Sequence, residues 1–204
     1  MSLTQSYFPN YFSINDILAT EERIQCKIEV NLPRLGFLDI TSDASDLKPG
    51  TKLEFPFWLA SSLQSRRTPI VSVEIPKYYR EGYRDILYAD ACTVTLSKWN
   101  QHYYELGMLL TQLNNRESEK IKETLILIFK SRIRLVMDWT QNPHSNPTLA
   151  SQLPMLERNL FMTGRKARLV LIEWLKQGSG NIEKSELVAN LMKKRKRDEF
   201  ETDK

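Results

Sequence analysis

The 204-residue chain reads as an α+β protein, mainly α, in which a small N-terminal β-rich domain precedes a C-terminal helical bundle. Two observations predict this. Up to Ile75 the apolar residues recur at every second position, as in "IQCKIEV", which is the period of a half-buried strand. After Pro76 they recur at three and four, the period of helices packed on one face. The predicted organisation is a β-rich domain over 1–75, a helical domain over 76–192 and a flexible tail over 193–204.

The elements follow in order. Ser13 is a good N-cap with Asp16 three residues on, and Phe12 with Ile17 can staple around it, so a short helix opens the fold. "IQCKIEV" places Ile24, Cys26, Ile28 and Val30 on one face of a first strand. Leu35–Ile40 reads as a second strand, and "SDASDLKPG" as a solvated turn. "TKLEF" is a third strand. Pro56 suits the first position of a following short helix, where its missing N–H removes no bond. Ile70–Ile75 makes a fourth strand, stopped by Pro76.

Beyond it, "KYYREGYRDILYAD" reads as one helix, and Ser97 as the cap of the next. There Trp99, Tyr103, Leu106, Leu110 and Leu113 form an amphipathic seam. Ser118–Trp139 is the longest helix predicted. Ile121, Leu125, Ile128, Leu135 and Trp139 give it a stripe that Ile126, Leu127, Phe129, Ile133, Val136 and Met137 widen. "TQNPHSNP" is a loop. A helix with Pro154 near its start follows, with Gly164 as a cap or a point of close approach, then "RKARLVLIEWLKQ" and a final short helix, "IEKSELVANLM".

Composition excludes several classes of function. With 41% apolar and 26% charged residues the chain resembles ordinary folded proteins, not disordered ones. No run of about 18 uncharged apolar residues predicts a membrane span, and the N-terminus reads as no secretory signal. Cys26 and Cys92 are expected to be two free buried thiols, His102 a hydrogen-bonded structural histidine and His144 a solvated loop residue. None of the four has metal-ligand spacing, and no nucleophile elbow or phosphate loop is present. The expectation is no catalytic, cofactor or metal site.

Five of the positive charges sit in "KKRKR", Lys193, Lys194, Arg195, Lys196 and Arg197; without them the net charge of +4 disappears and the body is close to neutral. The cluster is a candidate nuclear-import sequence. The alternative is a nucleic-acid-binding module using this tail with Arg165, Lys166 and Arg168. Phe55, Phe57 and Trp58 of "LEFPFWLA" are expected to pack between the two domains rather than against a partner. The wide stripe makes Ile121, Leu125, Ile128, Phe129, Val136 and Trp139, with the seam from Trp99 to Leu113, candidates for a protein interface. A bundle centre has the same pattern, so burial within the chain's own domain stands as the other reading.

Five stretches carry a family resemblance: "YFSINDIL", "LPRLGFLD", "KLEFPFWLASSL", "VEIPKYYREGYRDILYADA" and "LERNLFMTGRKA". In this order they resemble the family of the third (Psf-three) subunit of the eukaryotic GINS complex, over nearly the whole chain. Cys92 and Thr95 depart from the family's tendency to a proline and an acid, and the loop "SDASDLKPG" has no firm match. The resemblance implies a nuclear, non-enzymatic scaffold subunit without cofactors, membrane or small-molecule substrate. It implies three sister GINS subunits as partners, and joining to the MCM ring and a cell-division-cycle protein in the CMG helicase that unwinds DNA at replication forks. DNA would be touched at most indirectly.

Overall fold

Ser13 starts α1, Ile14–Glu21, by accepting the Asp16 amide on its hydroxyl at 3.4 Å. Phe12 and Ile17, the expected staple, are both exposed, so the cap forms without burying them. The computed structural model describes residues 12–39, 44–113, 116–142, 147–177 and 190–191. The chain forms two compact units, 1–164 and 165–204.

Three strands form one antiparallel sheet: β1 Arg23–Ile28, β2 Lys52–Pro56 and β3 Val71–Val73, in the order β2-β1-β3. Cys26 lies opposite Leu53 on one side and Val73 on the other. The period of two does what it predicts, burying Ile24, Cys26 and Ile28 and exposing Arg23, Gln25 and Lys27. Each buried isoleucine contributes about 1.5–3 kcal/mol. Val30 falls beyond the end of β1 and is exposed.

The strand expected over Leu35–Ile40 does not form. Arg34 adopts a left-handed φ of 62° and turns the chain, its amide donating to Asp46 Oδ1. Gly36–Leu38 then makes a single 3-10 turn with Phe37 and Leu38 exposed, and among the described residues of this segment one isolated bridge pairs Leu32 with Leu47. Pro56 ends β2, where an edge strand tolerates a residue with no donor, and serves as N-cap of α2, Phe57–Gln64. It therefore stands one position earlier than expected.

After Val73 no strand occurs among the described residues. The helix expected over 77–90 is divided: Lys77–Tyr79 is a 3-10 turn, Arg80 is extended, and α3 covers Glu81–Ala89. Burial of Tyr79 accompanies the break, its hydroxyl donating to the Tyr103 carbonyl and its ring stacking on Tyr103 at 4.9 Å. Ser97 caps no α-helix. Its hydroxyl donates to the Gln152 carbonyl, and α4, Tyr103–Gln112, begins after His102, so Trp99 lies outside it. Helix α5 covers Ser118–Gln141, close to the predicted span.

A 3-10 stretch, Pro147–Gln152, leads into α6, Met155–Gln177, one continuous helix where two were expected. Gly164 is inside it and marks a close approach: a Cβ there would stand 3.0 Å from Thr140 Cγ2. His144, most of the final predicted helix and the tail 193–204 lie outside the described residues.

One apolar core runs from the sheet through α2, α3 and α4 to Ile128 of α5. A smaller cluster joins Val136, Ala150, Leu153 and Phe161, with Trp139 against it. No helix of the described residues is long and apolar enough to cross a membrane.

Candidate subunit-interface surface

The helices are held in register by charge buried among them. Arg132 occupies the core-facing stripe of α5, in series with Ile121, Leu125, Ile128 and Val136. Its Nε and Nη2 donate to the two carboxylate oxygens of Glu157 on α6, at 2.7 and 2.9 Å. Its Nη1 donates to the carbonyls of Ala91 and Val94, and Tyr104 of α4 donates to Glu157 Oε1 at 2.6 Å. Arg132 is 3% exposed and Glu157 1%. Burial disfavours the guanidinium charge, but the hydrogen bond and charge of Glu157 outweigh it and hold the Arg132 pKa above its ordinary value. Burial, then the Glu157 carboxylate, pushes the Tyr104 hydroxyl up. Bidentate pairing, with the remaining donor satisfied by two backbone carbonyls, is the geometry in which a buried ion pair is tolerated. A second pair, Arg84 with Glu117, ties α3 to the start of α5, and Arg84 also donates to the Tyr79 carbonyl.

These contacts decide where the predicted site residues fall. Tyr103, Leu106, Leu110, Leu113, Ile121, Leu125, Ile128 and Val136 are buried in the chain's own core, so they offer no surface to another protein. Phe129 and Trp139 are half-buried, and Trp99 packs edge-on against Tyr83 at 5.2 Å. Phe57 is buried and Phe55 half-buried on the shared core, whereas Trp58 is 50% exposed. Lys193 to Arg197 lie outside the described residues.

The exposed apolar surface lies on the opposite faces. On α5 it consists of Ile126, Leu127 and Met137, interrupted by exposed Lys130 and Arg134. Leu156, Leu160 and Met162 are exposed on the first turns of α6, and Ile86 on α3. In the C-terminal unit, Leu169, Val170, Leu171, Trp174 and Leu175 are all exposed within one helical stretch. A signal for the α5 set was present: once Ile121, Leu125 and Ile128 face the core, residues such as Ile126 and Met137 must face away.

Among the described residues, chemically reactive groups do not converge. Among the described residues no three of His, Cys, Asp and Glu gather as for a metal ion. Cys26 is a buried free thiol whose pKa burial pushes up to about 11; Cys92, expected to be buried, is exposed because it follows α3 on the surface turn that Asp90 Oδ1 organises. The ring of His102 is buried, but its Nδ1 has no hydrogen-bond partner, unlike the bonded histidine expected. Its structural part is played by the backbone, which donates to Asn100 Oδ1 and accepts from Leu106 at the start of α4.

A family model described as the PSF3 N-terminal domain matches residues 12–65, which contain α1, β1, β2 and α2. The chain is 39% identical over 188 residues to the DNA replication complex GINS protein PSF3 of Xenopus laevis, covering 91% of this chain and 90% of that protein. Identity to the protein of the same name from Homo sapiens is 37% over 193 residues, covering 91% and 89%. Identity to that of Phaeosphaeria nodorum is 30% over 174 residues, covering 81% and 96%. With similarity of this degree running from the sheet through the helices, the chain belongs to the PSF3 family of DNA replication complex GINS proteins.

Proposed function

We propose that the chain is a non-enzymatic structural subunit of the four-subunit GINS complex, held beside three sister subunits, and that this complex joins the MCM ring and a cell-division-cycle protein as the CMG helicase. Family membership supports a role in DNA replication as a GINS subunit. One observation carries the scaffold reading: with its core closed, the chain still exposes Ile126, Leu127 and Met137 on α5, Leu156 and Leu160 on α6, and Trp174 with its neighbours in the C-terminal unit. Apolar surface on this scale marks a protein contact, and permanent subunit interfaces resemble a core cut in half.

Co-expression with three sister subunits tests it. The chain should co-purify stoichiometrically, and the exposed-site variant Ile126→Asp with Met137→Asp should lose co-purification while keeping its helical circular dichroism. A wild-type chain that stays a soluble monomer at micromolar concentration and binds no sister subunit would overturn the reading. Nuclear location is proposed from "KKRKR"; deletion of Lys193–Arg197 should shift a fluorescent fusion to the cytoplasm without affecting assembly.

A further inference from the structure

Helix α1 is amphipathic in the inverse sense. It turns Ala19 inward, beside α2 and α4, and leaves Ile14 72%, Leu18 48% and Ile17 43% exposed. At 100° per residue these three and the exposed Glu21 share an arc of about 100°. Phe12, just before the helix, is 85% exposed. The formal charge of this segment is negative. From Phe12 to Glu22 the chain carries Asp16, Glu21 and Glu22 and no lysine or arginine; Arg23 is the first cation after them.

A neutral apolar partner laid over this arc would strip water from Glu21 without replacing it, which is unfavourable for an ionised group. A partner that brings a cation to the same place avoids that penalty and gains orientation from the pair. An eight-residue helix presents a ridge of about 12 Å, a length that two turns of another helix can match.

We propose that the outer face of α1 docks an amphipathic helix of another subunit of the complex, which lays apolar side chains over Ile14, Ile17 and Leu18 and sets a lysine or arginine against Glu21. The assignment rests on the subunit reading above. Its test is a photo-cross-linking phenylalanine analogue at position 18 in the reconstituted four-subunit complex, with adducts mapped by mass spectrometry. The expected adduct lies on one sister-subunit segment with apolar residues spaced by three and four and a Lys or Arg among them. Glu21→Lys should lower its yield about two- to fivefold, the range of an exposed ion pair, and Glu21→Gln less. No adduct, an adduct on a segment without a cation, or a yield indifferent to Glu21→Lys overturns the assignment. Assembly is read separately by size-exclusion chromatography, so a missing adduct in an intact complex sinks only the role of α1. A chain that never elutes with its sister subunits sinks the functional reading instead.

Discussion

Replacing Glu157 by alanine removes the acceptor shared by Arg132 and Tyr104. The guanidinium then keeps only the Ala91 and Val94 carbonyls, and the Tyr104 hydroxyl keeps nothing. Breaking a buried pair by deleting one partner costs about 3–5 kcal/mol, because the remaining charge stays buried without compensation. A stranded hydroxyl adds about 1–3 kcal/mol. Against a total stability of about 5–15 kcal/mol, the variant is brought near unfolding. Tyr104→Phe alone should cost about 1.5–3 kcal/mol, the value of a hydrogen bond to a charged acceptor. The double variant should cost less than the sum of the two, since the phenyl ring removes the hydroxyl that Glu157→Ala strands. Urea titration of the full chain below micromolar concentration, followed by tryptophan fluorescence, measures all three. A loss under about 1 kcal/mol for Glu157→Ala, or additive losses, would refute the account of the cluster as a coupled network.

Three further outcomes are expected. Glu105 has its pKa raised by burial and by the charge of Asp16, so protonation favours the folded state; Glu105→Gln should raise the thermal midpoint at pH 7, and the gain should fade as pH falls through the raised folded-state pKa and be gone by about 4.3, below which the wild-type carboxyl is protonated in both states. Gly107 lies where a Cβ would stand 2.8 Å from Leu125 Cδ1 and 3.1 Å from Tyr79 Cε1, so Gly107→Val should overpack α4 against α5 and lower stability by about 1–3 kcal/mol, measured by the same titration. A thiol reagent should modify Cys92 in the native chain and reach Cys26 only after denaturation, since Cys26 is buried and its pKa near 11 leaves little thiolate.

The parts of the fold legible in the sequence are those where one period dominates. Alternation through Ile24, Cys26 and Ile28 gave β1, and sustained three-and-four spacing gave α5 its span. Leu35–Ile40 misled because a short apolar run carries no information about the backbone turn at Arg34 that precedes it. Ser97 looked like a cap, but tertiary contact with the Gln152 carbonyl took its hydroxyl and α4 began later. The candidate interface was harder to read for a simple reason. The most strongly apolar face of α5 is the one its own core claims first, so the stripe Ile121–Leu125–Ile128 marked the inside. What remains outward, Ile126 and Met137, is broken up by Lys130 and Arg134 and gives a weak periodic signal. Arg132 was invisible as a core residue because nothing in local spacing announces that Glu157 will meet it.

The strand made first is the middle of the sheet, with its neighbours supplied much later in the chain. As the polypeptide leaves the ribosome, Ile24, Cys26 and Ile28 wait with one edge bare until Pro56 has emerged and the other until Val73 has, and each closure carries the entropic burden of its intervening loop. A fragment ending with the matched N-terminal segment at residue 65 would stop short of Val71 and keep one of those edges open, as a template for aggregation.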